Sequence, residues 1–200
     1  MFARTIQGAL AFTLILGTTS LAHADDSPPV ADAAPAGRPS RAHVDAEPAV
    51  ALPVGDLAQV TGPALGGFVG GSYALDDRWE IVGRAGYLWG ASTNLQVAGL
   101  SMGSSLSYAP VLAGARYYLL DPGAVRLYLA AEAGAVLVVA SESGTGGDSS
   151  GSSLYFGGAA SVGMQVDLLD LRAGLLTADV GHAGTSTSAL MTLGFRFGAF

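Results

Sequence analysis

Residues 78–90 read RWEIVGRAGYLWG, and their alternation decides the fold. Trp79, Ile81, Gly83, Ala85, Tyr87 and Trp89 occupy the odd positions, while Arg78, Glu80, Arg84 and Gly86 occupy even ones. Successive side chains of an extended chain point to opposite faces, so this is a strand with one apolar, aromatic face and one charged face. An amphipathic helix would instead space its apolar residues three and four apart.

The same period runs along the chain. Val111, Ala113, Ala115, Tyr117 and Leu119 form one face of the next segment, with Arg116 on the other, and an Asp121-Pro122-Gly123 turn follows. Val125 to Val139 alternates apolar residues against Arg126, Tyr128, Glu132 and Gly134. Leu154 to Leu168 alternates against Tyr155, Ser161, Gln165 and Asp167. After a turn expected at Leu169-Asp170, Leu176, Ala178 and Val180 oppose Thr177 and Asp179. Met191, Leu193, Phe195 and Phe197 then oppose Thr192, Gly194 and Arg196. Glycine supplies 29 of the 200 residues, many inside these segments, which penalises helices further. The spacing predicts seven strands between residues 64 and 200, with an eighth in Val50–Thr61 to complete an even number.

The opening residues read as a secretory leader. One basic residue precedes the apolar run Gly8–Leu16, and Ala22-His23-Ala24 offers a small-x-small cleavage site. Residues 1–24 are thus expected to be removed, 25–49 to be a disordered Pro/Ala/Asp-rich linker, and 50–200 to be the folded domain. No cysteine is present, so neither disulfides nor a lipid anchor can hold the chain. All nine basic residues are arginines and the formal net charge is −7, which argues against nucleic acid as a partner.

Alternation alone fits a soluble sandwich with its apolar face inward as well as a membrane barrel with that face in lipid. The aromatics favour lipid. Trp79 and Trp89 share a face ten residues apart, about 33 Å along a strand, which projects to about 25 Å on the axis of a tilted barrel, the height of an outer-membrane apolar band. Tyr73, Trp79, Tyr117, Phe195 and Phe197 would form one aromatic girdle, and Tyr87, Trp89 and Phe156 the other. Short turns at Asp76-Asp77, Asp121–Gly123 and Leu169-Asp170 alternate with longer Gly/Ser stretches, as short periplasmic turns alternate with extracellular loops.

In strand pattern and termini, residues 51–200 resemble the small eight-stranded outer-membrane barrels of the OmpA/OmpX type. The resemblance implies an all-β, antiparallel up-and-down transmembrane barrel in a Gram-negative outer membrane, monomeric and in contact with outer-membrane lipid. It also implies that the terminal aromatic Phe200 is an assembly signal read by the barrel-assembly machinery. The luminal charges Arg84, Arg116 and Arg196 are expected to pair with Glu80, Glu132 and Asp179, because eight strands leave an interior just wide enough for side chains and buried charges must pair. That predicts a filled lumen.

No metal, cofactor or catalytic set is expected, and a structural or loop-mediated interaction role is. Two rivals stand beside it. His182 near Ser186 and Ser188 resembles the Ser and His of outer-leaflet lipid-modifying barrel enzymes, although the sequence identifies no acid to orient it. The second is a soluble periplasmic carrier of a small apolar ligand, with the apolar faces turned inward.

Overall fold

In the computed structural model of the chain, residues 41–97, 100–119, 125–144, 147 and 149–197 are described. The leader (1–24), linker residues 25–40, the Asp121-Pro122-Gly123 turn and Phe200 lie outside the described residues.

Nine strands occur among the described residues: β1 (Ala42–Pro53), β2 (Ala64–Ala74), β3 (Trp79–Gly90), β4 (Thr93–Val97), β5 (Leu100–Tyr118), β6 (Val125–Gly144), β7 (Ser149–Val166), β8 (Leu169–Thr177) and β9 (Thr187–Phe197). All pair antiparallel. β1 lies between β2 and β9, and β3 pairs with β5, so the sheet closes on itself and leaves no edge in the ring. β4 continues β3 past a bend at Ala91–Ser92 and pairs only with the upper part of β5. The barrel therefore has eight staves. Among the described residues no helix is long and apolar enough to cross a membrane.

Three expectations need correction. The first strand is not in Val50–Thr61, and residues 42–49 are not linker: β1 covers Ala42–Pro53, and Leu57–Val60 form a single helical turn, α1. The Ala/Pro/Asp-rich composition hid a true alternation, with Asp45, Glu47, Ala49 and Ala51 buried and Val44, Val50 and Leu52 exposed. Pro48 lacks an N–H, and it sits where the β1–β9 ladder skips from Ala46 to Ala49. Second, the turn into β8 is Asp167–Leu168, with Asp167 in the left-handed region at φ 51°, so Asp170 belongs to the strand. Third, the phase of β8 is inverted. Leu176 and Ala178 are buried inside, whereas Leu171 and Leu175 face out. Polarity misassigned this strand because the inner face is itself apolar at the mouth end.

The two barrel faces are otherwise sorted opposite to a soluble protein. Val69 keeps 65% of its surface exposed and Trp89 72%, and Leu65, Ile81, Phe156 and Met191 are also exposed. Meanwhile Arg116 is 1% exposed and Glu80 2%. The apolar faces point outward, which overturns the soluble carrier reading. All the expected girdle residues lie on the outside, with Tyr117 half-buried against Trp79 (ring centroids 4.9 Å apart). Ladder positions place Tyr73, Trp79, Tyr117, Phe195 and Phe197 near the end with the short turns, and Tyr87, Trp89 and Phe156 toward the mouth.

Candidate functional site

The inward residues of the turn-end half are mostly charged. Glu47 on β1, Arg84 on β3, Arg116 on β5, Glu132 on β6 and Arg172 on β8 converge at mid-height, since alternate residues of every stave point inward. Arg84 Nη1 lies 3.1 Å from Glu47 Oε2, and its Nε donates to Glu132 Oε2. Arg172 Nη1 donates to Glu132 Oε1 at 2.8 Å, and its Nη2 lies 3.5 Å from Glu47 Oε1. Arg116 sits among three carboxylates: Asp170 at 3.0 Å, Glu80 at 3.5 Å and Glu47 at 3.8 Å. Nearer the turns, Arg196 bridges Asp45 and Glu80, each at 3.2 Å.

Aromatic hydroxyls tie these pairs together. Tyr118 Oη donates to Glu80 Oε2 at 2.7 Å and lies 3.1 Å from Gln165 Oε1. Tyr128 Oη donates to Asp170 and accepts from Arg172 Nε at 3.1 Å. The Arg116 guanidinium lies 4.9 Å from the Tyr128 ring centroid and that of Arg84 4.4 Å from the Phe68 centroid. Four buried arginines thus face five buried carboxylates, Asp45, Glu47, Glu80, Glu132 and Asp170. Arg126 adds a fifth cation at the turn end, 3.6 Å over the Tyr118 ring. The balance matters because an unpaired charge in this interior would cost several kcal/mol.

Of the expected luminal charges, the structure brings Glu80, Arg84, Arg116, Glu132 and Arg196 together. Asp179 is the exception: it lies in the mouth segment after β8, because the inverted phase removes it from the inner ladder. Its carboxylate accepts from His182 Nδ1 at 2.8 Å and from Gly181 N at 2.9 Å. The His182 bond, ahead of the smaller contribution from the Gly181 amide, holds the Asp179 carboxyl below the ordinary range. His182 thus has the orienting acid that the sequence did not reveal. Ser186 Oγ, however, is turned to the carbonyls of Asp179 (2.8 Å) and His182 (3.0 Å), so it is not aligned as a nucleophile on the imidazole. Sequence reading missed Asp45, Glu47, Asp170 and Arg172, although Asp170 and Arg172 stand two apart as one inner face requires.

Close backbone approach makes room for the network. A Cβ on Gly163 would lie 2.1 Å from the Tyr128 ring. Gly163→Ala is expected to displace that ring from Asp170 and Arg172 and to destabilise the barrel by about 1–3 kcal/mol, the range for overpacking. An unchanged urea midpoint for the variant in phospholipid vesicles would show that the ring is not pinned there.

Above the charges, the inward residues become apolar. Ala49, Phe68, Leu88, Tyr108, Leu112, Val136, Leu176 and Leu190 pack into one cluster across the barrel. The interior therefore holds two stacked layers, ionic near the turns and apolar toward the mouth. Past the mouth, β5, β6 and β7 run on as a projecting sheet, paired from Met102↔Gly144 and Glu142↔Ser149 downward. β8 joins β7 only from Gly158 on, so Ser149–Gly157 has no described strand on its other edge.

No protein-family model and no curated protein matches the chain. Its fold is similar to the crystal structure of Ail, the attachment invasion locus protein of Yersinia pestis. The TM-score is 0.57 at 16% identity, over 80% of this chain and all of that one. Ail in complex with the heparin analogue sucrose octasulfate is similar at a TM-score of 0.53 and 17% identity, over the same shares. A closed eight-stave barrel, charged within and apolar without, that shares this backbone path has the fold of the small eight-stranded outer-membrane β-barrels, and its outward apolar belt is the kind of surface such a barrel turns to lipid.

Proposed function

We propose that this barrel is a non-conducting, non-enzymatic surface protein that works through what it projects from the mouth. The carrying observation is the pairing of a filled interior with a projecting sheet whose Ser149–Gly157 edge is unpaired among the described residues. An interior packed with paired charges and then with apolar side chains leaves no continuous wet path. An open strand edge presents free backbone N–H and C=O groups that can take up an extended segment of another chain. The sulfated ligand of the Ail complex is not carried over. Every arginine of the described barrel lies in its turn-end half or at the turns, so the mouth offers no guanidinium to an anion. Insertion by the barrel-assembly machinery through Phe200, and a monomeric state, belong to the same proposal.

Two measurements test it. Purified protein added to a planar lipid bilayer is expected to give no stepwise conductance; discrete openings would sink the filled-lumen reading. Replacing residues 140–151 by Asn-Gly shortens the β6–β7 hairpin at its Val139↔Ser152 pair. The variant should still assemble with heat-modifiable gel mobility, while cells displaying it lose adhesion to protein-coated surfaces. Adhesion equal to that of the parent would remove the role of the edge.

A further inference from the structure

The projecting sheet also forms one wall of a hollow at the barrel mouth. Leu106, Tyr108, Val138 and Tyr155 line it from β5, β6 and β7, and the 178–186 segment faces them across about 360 Å³. That volume is at the small end of ligand cavities. Tyr108 is 5% exposed, and its hydroxyl has no hydrogen-bond partner. A buried hydroxyl without a partner is costly, and an acceptor placed in the hollow would relieve it.

The facing side offers mainly the opposite polarity. Thr185 has spent its hydroxyl proton on the His182 carbonyl, which leaves its oxygen as an acceptor beside the Asp179 carboxylate, while Ser186 Oγ is already engaged with the Asp179 and His182 carbonyls and the Asp179 N–H. An occupant must therefore bring several donors, one acceptor and an apolar flank for the tyrosine wall. It must also be without negative charge, since among the described residues lining the hollow the carboxylate is that of Asp179, its His182 partner is already engaged with it, and no arginine reaches it. We infer that the hollow binds an uncharged, polyhydroxylated ring, a neutral monosaccharide, either free or as the terminal residue of a glycan. A sugar ring combines hydroxyl donors and acceptors with an apolar C–H face. The inference uses only the geometry of the mouth and does not depend on strand capture by the β7 edge.

The test uses the full chain folded in a sugar-free detergent, with glucose, galactose, mannose and N-acetylglucosamine as separate probes, read by saturation-transfer NMR and calorimetry. Saturable binding of at least one sugar is expected, weakened about tenfold by Tyr108→Phe, as loss of one good hydrogen bond implies. That variant keeps the ring, and unchanged heat-modifiable mobility verifies that it folds. Binding of the methyl glycoside as tightly as the free sugar assigns a glycan terminus, while loss on methylation assigns a free reducing sugar. Absence of binding by all four probes, equal binding by wild type and Tyr108→Phe, or tighter binding of glucuronate than of glucose would each overturn the inference.

Discussion

Arg116→Met is expected to destabilise the folded barrel by about 3–5 kcal/mol, the cost of stripping one partner from a buried ionic cluster. Arg116 lies within 3.0–3.8 Å of Asp170, Glu80 and Glu47, and it is almost wholly buried. Methionine roughly fills the aliphatic volume but leaves the three carboxylates facing one another with one cation fewer. Arg84, Arg172 and Arg196 still hold Glu47 and Glu80, so Asp170 is the group left most exposed to the loss. Its remaining support is the Tyr128 hydroxyl. Adding Asp170→Leu should therefore recover part of the loss, because removing both partners of a buried pair is far less harmful than removing one. The measurement is reversible urea unfolding in phospholipid vesicles, followed through the fluorescence of Trp79 and Trp89. A single-variant cost below about 1 kcal/mol, in the range of exposed pairs, would mean that the cluster is solvated and the lumen wet.

Val69→Arg tests the outer face. Val69 lies at the middle of β2, exposed, with its ladder partners Ala46 and Ala85. On a water-facing surface such a substitution changes stability by no more than about 0.5 kcal/mol. At the bilayer midplane an arginine on the lipid face of a barrel costs about 2–4 kcal/mol, and the penalty falls toward zero near the interfaces. The same urea titration should thus show a large loss for Val69→Arg and a small one for Tyr73→Arg, four residues nearer the turns on the same face. Equal, small losses at both positions would place the belt in water and remove the membrane assignment.

What the chain betrays by itself depends on where polarity tracks orientation. In β3, β5 and β6, luminal Glu80, Arg84, Arg116 and Glu132 alternate with lipid-facing Trp79, Ile81, Val111 and Leu129, so period and phase are both legible. The girdle aromatics are legible for the same reason. In β1 the outward positions include Ala46 and Pro48, which carry little of the strand signal, and the luminal pair Asp45 and Glu47 passed for linker acidity. In β8 Leu175 and Leu176 stand on opposite faces and Thr177 is the lone polar residue of Leu175–Ala178, so a one-residue phase error cost little in pattern and exchanged the faces, drawing Asp179 inward and hiding Asp170 and Arg172.

The strand period and the two chemically distinct faces of most strands are legible in the chain, because they rest on neighbours two residues apart, and the spacing of the aromatics points the apolar face toward lipid. That the apolar faces turn outward, which strand closes the ring, which charges meet and what faces the hollow at the mouth emerge from the folded barrel alone. The last three depend on register between staves as distant in the chain as β1 and β9, where Asp45 finds Arg196 across 151 residues. Such pairing is set by closing the sheet around a lumen too narrow to leave any charge alone.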